Sequence, residues 1–293
     1  MKKIEIGDYK INTTVQLSEL STFVDLKASE DTIKDELKST RKKLGELQDT
    51  LYAHGKYAVL VCLQGMDTAG KDSLIREVFK DFNARGVVVH SFKVPTEKEL
   101  KHNFLWRHYI ALPARGKFGV FNRTHYENVL VTRVHPEYIL GEYLPDVDDV
   151  SDIDDEFWNK RFEQIKNFEK TIAQNGTLIF KFFLNLSKEQ QKHRLLRRLN
   201  KPNKNWKFSP GDLKERKLWN KYMFCYEEVL NRTSMPHAPW YSIPADDKPT
   251  ARLIVASILL EELRKYDDIK EPELDPEIKA RISEFKEQLQ KDA

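Results

Sequence analysis

Apolar positions along the chain change period repeatedly, and the changes divide it into alternating helix-like and strand-like stretches. Residues 1 to 28 sustain no period and read as an extended arm. After Ser29 an acidic first turn leads into Ile33, Leu37, Leu44, Leu47 and Leu51, the spacing of one helix face over about 30 to 53. YAVLVCLQ (57–64) is a continuous apolar, β-branched run, which predicts a strand covered on both faces. Helical spacing returns in KDSLIREVFKDFNARG, starting at Lys71, and VVVHSF (87–92) predicts a second strand. Strand, glycine loop, helix and strand together make a βαβ unit.

The alternation continues. Leu100, Phe104 and His108 mark a helical stretch before the strand KFGVFN (117–122), and THYENVLVTRVH (124–135) predicts another helix. The acidic DVDDVSDIDDE (146–156) reads as a solvated loop; behind it Phe157, Ile165, Phe168 and Ile172 predict a helix and TLIFKFFLN (177–185) a strand. Ser187 and Gln190 have the spacing of a capping box that opens the basic helix QKHRLLRRLN. SPGDL (209–213) offers Ser209 as N-cap, Pro210 at the first helical position and Asp212 in the first turn of a helix running to about 232. A short strand WYSI, a helix through ARLIVASILLEELRKY and an amphipathic C-terminal helix finish the chain. Such alternation implies an α/β fold with a parallel sheet covered on both faces and ligands at the carboxyl ends of its strands.

Composition narrows the function classes. The 293 residues carry 49 Lys and Arg against 46 Asp and Glu, a net charge of +3, so no global field marks a nucleic-acid binder and any anion site must be local. Two cysteines, Cys62 in an apolar run and Cys225 in a helical pattern, are too few for a disulfide framework and read as buried free thiols. No stretch approaches the ~18 apolar residues of a membrane span. MKKIEIGDYKINTT lacks the apolar core of a signal peptide, so the expected location is the cytoplasm.

Candidate chemistry gathers at three places. The first is CLQGMDTAGKDS (62–73), where Gly65, Gly70 and Lys71 keep the G-x4-G-K spacing of a phosphate loop between a strand and a helix. Its backbone amides, the helix N-terminus and the lysine charge suit a chain of phosphates. The hydroxyl that usually follows the lysine is replaced by Asp72, Ser73 comes one residue late, and Asp67 lies inside the loop. Asp67 reads either as a Mg²⁺ ligand or as a turn cap, and Asp72 as an acid that compensates the helix dipole.

The second is GVFNRTHYENVLVTRVHP (119–136). Asn122 ends a strand where a P-loop enzyme usually carries an aspartate, and Arg123, Glu127 and Arg133 follow. Arg123 and Glu127, four apart, would place a cation and an acid near the loop or form a plain surface ion pair. The third is the basic segment with Arg194, Arg197, Arg198, Lys204 and Lys207, which reads as a solvated face, an RNA-binding surface or a lid that closes over phosphates.

In order, GMDTAGKDS, GVFNRTHYENVLVTRVHP, RLNKPNKNWKFSPGDLKERKLWNKY and APWYSIPADDKPTARL closely resemble polyphosphate kinase family 2, over roughly residues 30 to 266. The resemblance implies a P-loop kinase fold: a thymidylate-kinase-like three-layer α/β/α sandwich with an α-helical lid. It divides the chain into an arm (1–28), a kinase domain (29–270) with a lid insertion at about 190–233, and a C-terminal helix (271–293). It also implies phosphoryl transfer between inorganic polyphosphate and nucleoside mono- or diphosphates, Mg²⁺ with Mn²⁺ as a substitute ion, a homodimer or homotetramer, and neither membrane nor nucleic acid as partner.

Carried over by residue, the resemblance makes Asp67 and Asn122 contributors to the metal and acceptor-phosphate site, and Lys71 a polyphosphate clamp within the surface of Gly65, Ala69, Gly70, Asp72 and Ser73. Arg123 and Arg133 become phosphate-binding cations, and Arg194, Arg197, Arg198, Lys204 and Lys207 lid-side polymer contacts. Asn122, where several members have Asp, and Glu127 bear on the choice of acceptor. An ATP-dependent nucleotide kinase and a basic RNA-binding module are the rival readings.

Overall fold

A computed structural model describes residues 1–292, with Lys207 described in its backbone only. The first long element is helix α1 (Glu30–His54), capped by the Ser29 side chain accepting from the Thr32 amide and closed by Gly55 at φ 69°. Strand β1 (Ala58–Gln64) is buried at all seven positions. Helix α2 (Lys71–Val78) follows the glycine loop, and strand β2 (Val87–Ser91) comes next. Helix α2 is shorter than its apolar spacing predicts: the chain leaves it at Phe79 and tightens into a 3-10 turn at Ala84–Gly86.

Two single-turn helices, α3 (Glu97–Leu100) and α4 (Trp106–Tyr109), lead to strand β3 (Phe118–Asn122). The helix expected over 124–135 is instead a 3-10 turn, His125–Val129, jointed at Leu130 to the short α5 (Val131–Val134). Helix α6 (Asp155–Gln174) and strand β4 (Thr177–Asn185) follow the acidic segment, whose Asp149 and Asp152 cap a 3-10 turn and whose Asp154 caps α6. Helix α7 (Lys188–Leu199) starts on Ser187, which accepts from the Gln190 amide. The Gln190 side chain does not complete a capping box; it donates to the Asp246 carbonyl at 2.8 Å.

The single long helix expected from Ser209 is broken at Leu218 into α8 (Pro210–Lys217) and α9 (Trp219–Thr233). The break lets α9 bury Trp219, Tyr222, Cys225, Tyr226 and Val229 against the body while α8 buries nothing. Strand β5 (Trp240–Pro244), helix α10 (Lys248–Leu263) and the short α11 (Pro276–Ala280) and α12 (Ile282–Lys291) complete the described chain.

All pairings in the sheet are parallel, in the order β2-β3-β1-β4-β5. Alternation along β1 supplies both faces. Val59, Val61 and Leu63 join the core formed with α1, α2 and α10, while Leu60 and Cys62 join the opposite core with Phe121, Phe168 and Ile172. Each fully buried Val or Leu contributes roughly 1.5–3 kcal/mol. This is the three-layer α/β/α sandwich, and the strands end together beside the glycine loop. The arm is tied down across that edge: Ile11 donates its amide to the Trp240 carbonyl at 2.8 Å, and Thr22 bonds Asp246. Cys62 and Cys225 are free and buried.

One buried cluster has no periodic signal in the sequence. Lys181, in the middle of β4 and 0% exposed, donates to Glu169 Oε2 at 2.7 Å, to the Tyr126 hydroxyl at 2.8 Å and to the Thr233 carbonyl at 2.8 Å. Glu169 Oε1 accepts from the Tyr126 hydroxyl at 2.7 Å and lies 3.1 Å from His125 Nε2. Burial pushes the Glu169 carboxyl up, but Lys181 and His125 outweigh it and hold it below the ordinary range. The charges are paired and hydrogen-bonded, as buried charges must be.

Candidate active site

The glycine loop is shaped by backbone conformations and by close approach. Gly65 has φ 148°, and a Cβ there would lie 2.9 Å from the Leu184 carbonyl oxygen; Gly70 has φ 112°. Thr68 and Arg123 are left-handed without being glycine, at φ 68° and 59°, so contacts around them hold a conformation that costs about 1–2 kcal/mol.

Lys71, first residue of α2, folds back under the loop. Its ammonium donates to the Gly65 carbonyl at 2.5 Å, with the Met66 carbonyl at 3.4 Å. Burial, reinforced by the nearby Arg123 charge, lowers its pKa from 10.5 to about 8. An anion in the loop would offset the cost of burying this cation and raise its pKa again.

Asp67 is not a turn cap. Its Oδ1 accepts from Arg123 Nη2 at 2.9 Å, and Arg123 Nη1 lies 3.6 Å from Glu127. Glu127 foremost, then Asp67 against the opposing effect of burial, raises the Arg123 pKa above its ordinary value. The cation expected near the loop is therefore there, carried by a left-handed turn residue rather than by a helix face.

Asn122 closes β3 and reaches α2: its amide nitrogen donates to Asp72 Oδ1 at 2.7 Å and to Ser91 Oγ at 3.3 Å. Its Oδ1 is buried and has no hydrogen-bond partner among the described residues. Asp72, read as a dipole-compensating acid, is thus also the link between α2 and the end of β3. Ser73 turns its hydroxyl back to the Gly70 carbonyl at 2.9 Å.

The basic residues of the insertion separate into different environments. Arg194 lies against four backbone carbonyls, those of Thr68, Ala69, Ala245 and Asp246, and burial lowers its pKa to about 10. Arg197 is exposed, and Arg198 bonds Asp212 at 3.1 Å. Lys204 is half-buried in a 3-10 turn, and the side chain of Lys207 lies outside the described residues. Arg133 makes its contacts on α9 and α6. It lies 3.5 Å from Glu228 and 5.1 Å over the Phe224 ring, in a groove whose lining contains no loop residue.

Three participants carry no signal in the sequence patterns read above: Gln191, Tyr226 and Lys248. Gln191, 1% exposed, donates to the Asp67 carbonyl at 3.1 Å and accepts from Arg216 at 2.8 Å. Tyr226 of α9 is buried, and burial foremost, with Glu127 next, pushes its hydroxyl pKa well above the ordinary value. Lys248 opens α10 with its Cε 3.6 Å from where a Gly70 side chain would begin; burial and the surrounding Arg194, Arg252 and Arg197 lower its pKa to about 8. A helix start just after a strand end was the available signal for Lys248.

Among the described residues no three His, Cys, Asp or Glu side chains converge as a preformed metal cage. The Asp67 carboxylate and the unpartnered Asn122 Oδ1, with Asp72 held against the Asn122 amide, are hard oxygen donors of the kind that hold a divalent cation jointly with substrate phosphates.

A parallel sheet, a glycine loop after its central strand and a lysine buried beneath that loop define a P-loop kinase fold. Comparison carries the assignment further: the chain belongs to the polyphosphate kinase 2 family, whose match spans residues 27–272. It is 42% identical over 291 residues to the ADP-polyphosphate phosphotransferase of Rhodopseudomonas palustris, covering 99% of this chain and 98% of that protein. It is 45% identical over 222 residues to the AMP/ADP-polyphosphate phosphotransferase of Meiothermus ruber, covering 76% and 78%. Among solved structures, polyphosphate kinase 2 from Arthrobacter aurescens TC1 superposes with a TM-score of 0.86 at 34% identity, covering 95% of each chain.

Proposed function

We propose that the protein transfers a phosphoryl group between inorganic polyphosphate and a nucleoside mono- or diphosphate. The observation that carries this reading is Lys71, an ammonium buried under the glycine loop and held only by backbone carbonyls among its hydrogen-bond partners. In this reading a terminal segment of the polymer lies in the loop, bound by backbone amides, the N-terminus of α2 and Lys71. Arg123 would supply the next charge, and Arg197, Arg198 and Lys204 would continue the path on the lid side.

Asp67 and Asn122, the latter hydrogen-bonded to Asp72, would hold Mg²⁺ or Mn²⁺. The bound ion would offset the repulsion between two polyanions and stabilise charge spread over the transferring group. Arg123 and Lys71 would hold the donor oxygens in place, and Glu127, beside Arg123, would discriminate among acceptors by charge. The acceptor is already an anion near neutral pH, so the chain needs no strong general base; its residues orient, neutralise charge and exclude water. The moving part of the lid would be the segment around α8, since α9 is built into the core.

Relatives described as acting on AMP and ADP support both acceptor classes. Two buried free thiols suit a reducing compartment, and we place the reaction in the cytoplasm, in a homodimer or homotetramer. The test supplies AMP or ADP with polyphosphate and Mg²⁺ in the absence of ATP. Formation of ADP or ATP supports the reading; transfer only when ATP is the donor replaces it with an ordinary nucleotide kinase.

A further inference from the structure

Three consecutive carbonyls of the glycine loop are held from behind by one helix. Gln191 of α7 donates to the Asp67 carbonyl at 3.1 Å, and Arg194, one turn on, donates through Nη1 to the Thr68 and Ala69 carbonyls at 2.9 and 3.0 Å. The other arm of the same guanidinium donates to the Ala245 and Asp246 carbonyls at 2.6 and 3.0 Å, in the turn between β5 and α10. A guanidinium has five N–H donors, so only the Nε–H remains uncommitted by these bonds.

The planarity of the peptide gives these bonds a consequence on the far side of the loop. Fixing a carbonyl fixes the plane that carries the next residue's N–H in the opposite direction. Anchoring the Asp67 and Ala69 carbonyls outward therefore aims the Thr68 and Gly70 amides. The anchored stretch includes Thr68 at φ 68°, a conformation that persists only where surrounding contacts over-determine it.

The anchoring helix is itself fixed. Ser187, its N-cap, donates its amide to Asp246 Oδ1 at 2.8 Å, and Gln190 donates to the Asp246 carbonyl. From the other side, Arg216 of α8 donates to Gln191 Oε1 at 2.8 Å and to the Lys188 carbonyl at 2.7 Å. A continuous chain of hydrogen bonds thus runs from α8 through Gln191 to the loop backbone.

We propose that Arg194 and Gln191 are positioning residues that preorganise the glycine loop through its carbonyls, and that Arg216 makes the seating of α8 part of that support. Arg194 does not touch the polymer; the first turns of α7 are a fixed wall, and the closing segment begins beyond them. The inference takes from the proposed function only that the loop is where phosphates bind, and its structural content is tested without any phosphate.

The experiment is amide hydrogen exchange of the ligand-free protein, read on peptides spanning Met66–Gly70, where the Ala69 amide donates to the Met66 carbonyl at 3.0 Å and reports the loop's shape, with melting temperature recorded alongside. Arg194→Met is expected to raise exchange there at least about 10-fold while β1 and α10 peptides stay protected. Arg194→Lys, with three donors and no fork, is expected to restore protection only in part. Gln191→Leu provides a second route should Arg194→Met fail to fold, with faster exchange expected at the same peptides. Arg216→Met is expected to show a smaller rise at those peptides. In turnover, Arg194→Met is expected to lower kcat by about 100-fold, the scale of a misplaced reacting group, with a smaller change in the KM for polyphosphate. Unchanged loop exchange in folded Arg194→Met and Gln191→Leu, with a raised polymer KM alone for Arg194→Met, would make Arg194 a phosphate ligand and overturn the proposal. Loss of activity toward polyphosphate in the unsubstituted protein would instead refute the proposed function and leave the exchange result standing.

Discussion

Arg123 and Asp67 form an ion pair at 2.9 Å that joins the end of β3 to the inside of the glycine loop. The acid inside the glycine loop is thereby paired with the chain's own cation; under the proposed function a metal and phosphates would share both groups. Asp67→Asn removes the carboxylate but keeps the shape. Turnover is expected to fall by on the order of 100-fold or more, and half-saturation by Mg²⁺ to move to higher concentration. A magnesium titration checks this; an unchanged curve would return Asp67 to a structural role.

Lys71 links binding to pH. Its pKa is about 8 in the folded free protein and 10.5 ordinarily. The unfolded chain keeps this proton up to the higher value, so the free protein gains stability as pH rises from about 8 to about 10.5. A polyanion in the loop favours the charged form and pushes the pKa back up. Binding of polyphosphate at about pH 9 should therefore take up protons, measured by titration calorimetry in buffers of different ionisation enthalpy. The uptake should fall in Lys71→Met, with any remainder assigned to Lys248.

Glu127 lies 3.6 Å from Arg123, and under the proposed function its negative charge would face the acceptor. It opposes the more highly charged acceptor, so Glu127→Ala should raise the ratio of kcat/KM for ADP over AMP. The expected change is roughly threefold to tenfold, the scale of about 1 kcal/mol. Steady-state kinetics with both acceptors decide it, and an equal effect on the two would contradict the assignment.

Lys181 tests the fold beneath the site. Lys181→Met removes the partner of Glu169 and leaves a buried carboxylate with reduced compensation. The expected loss is about 3–5 kcal/mol of stability, measured by denaturant unfolding. The double change Lys181→Met with Glu169→Gln should recover part of it, because no unpaired charge then remains.

The elements legible in the sequence are those whose burial repeats along the chain. The β1 run is apolar at almost every position because both faces of the central strand are covered, and Gly65, Gly70 and Lys71 stand out because their spacing is tied to a backbone shape. The break at Leu218 was not legible because neither glycine nor proline marks it; α9 turns away to bury Trp219 and Tyr222. The jointed chain after β3 was read as a helix because its apolar spacing fits one. The ties from Gln191 and Arg194 end on carbonyl oxygens, which every residue has, so no pattern of side chains announces them. The neighbours of Arg133, Glu228 at 3.5 Å and the Phe224 ring, come from α9, which no motif around Arg133 announces.

The central claim is that one cleft holds an inorganic polymer against a nucleotide acceptor with a divalent ion between them. A crystal structure with short-chain polyphosphate and Mg²⁺ tests it most directly. The account predicts a row of phosphates over the amides between Met66 and Ser73, touching Lys71, with the ion on Asp67. A vacant cleft, with polymer and ion bound elsewhere on the protein, would contradict it.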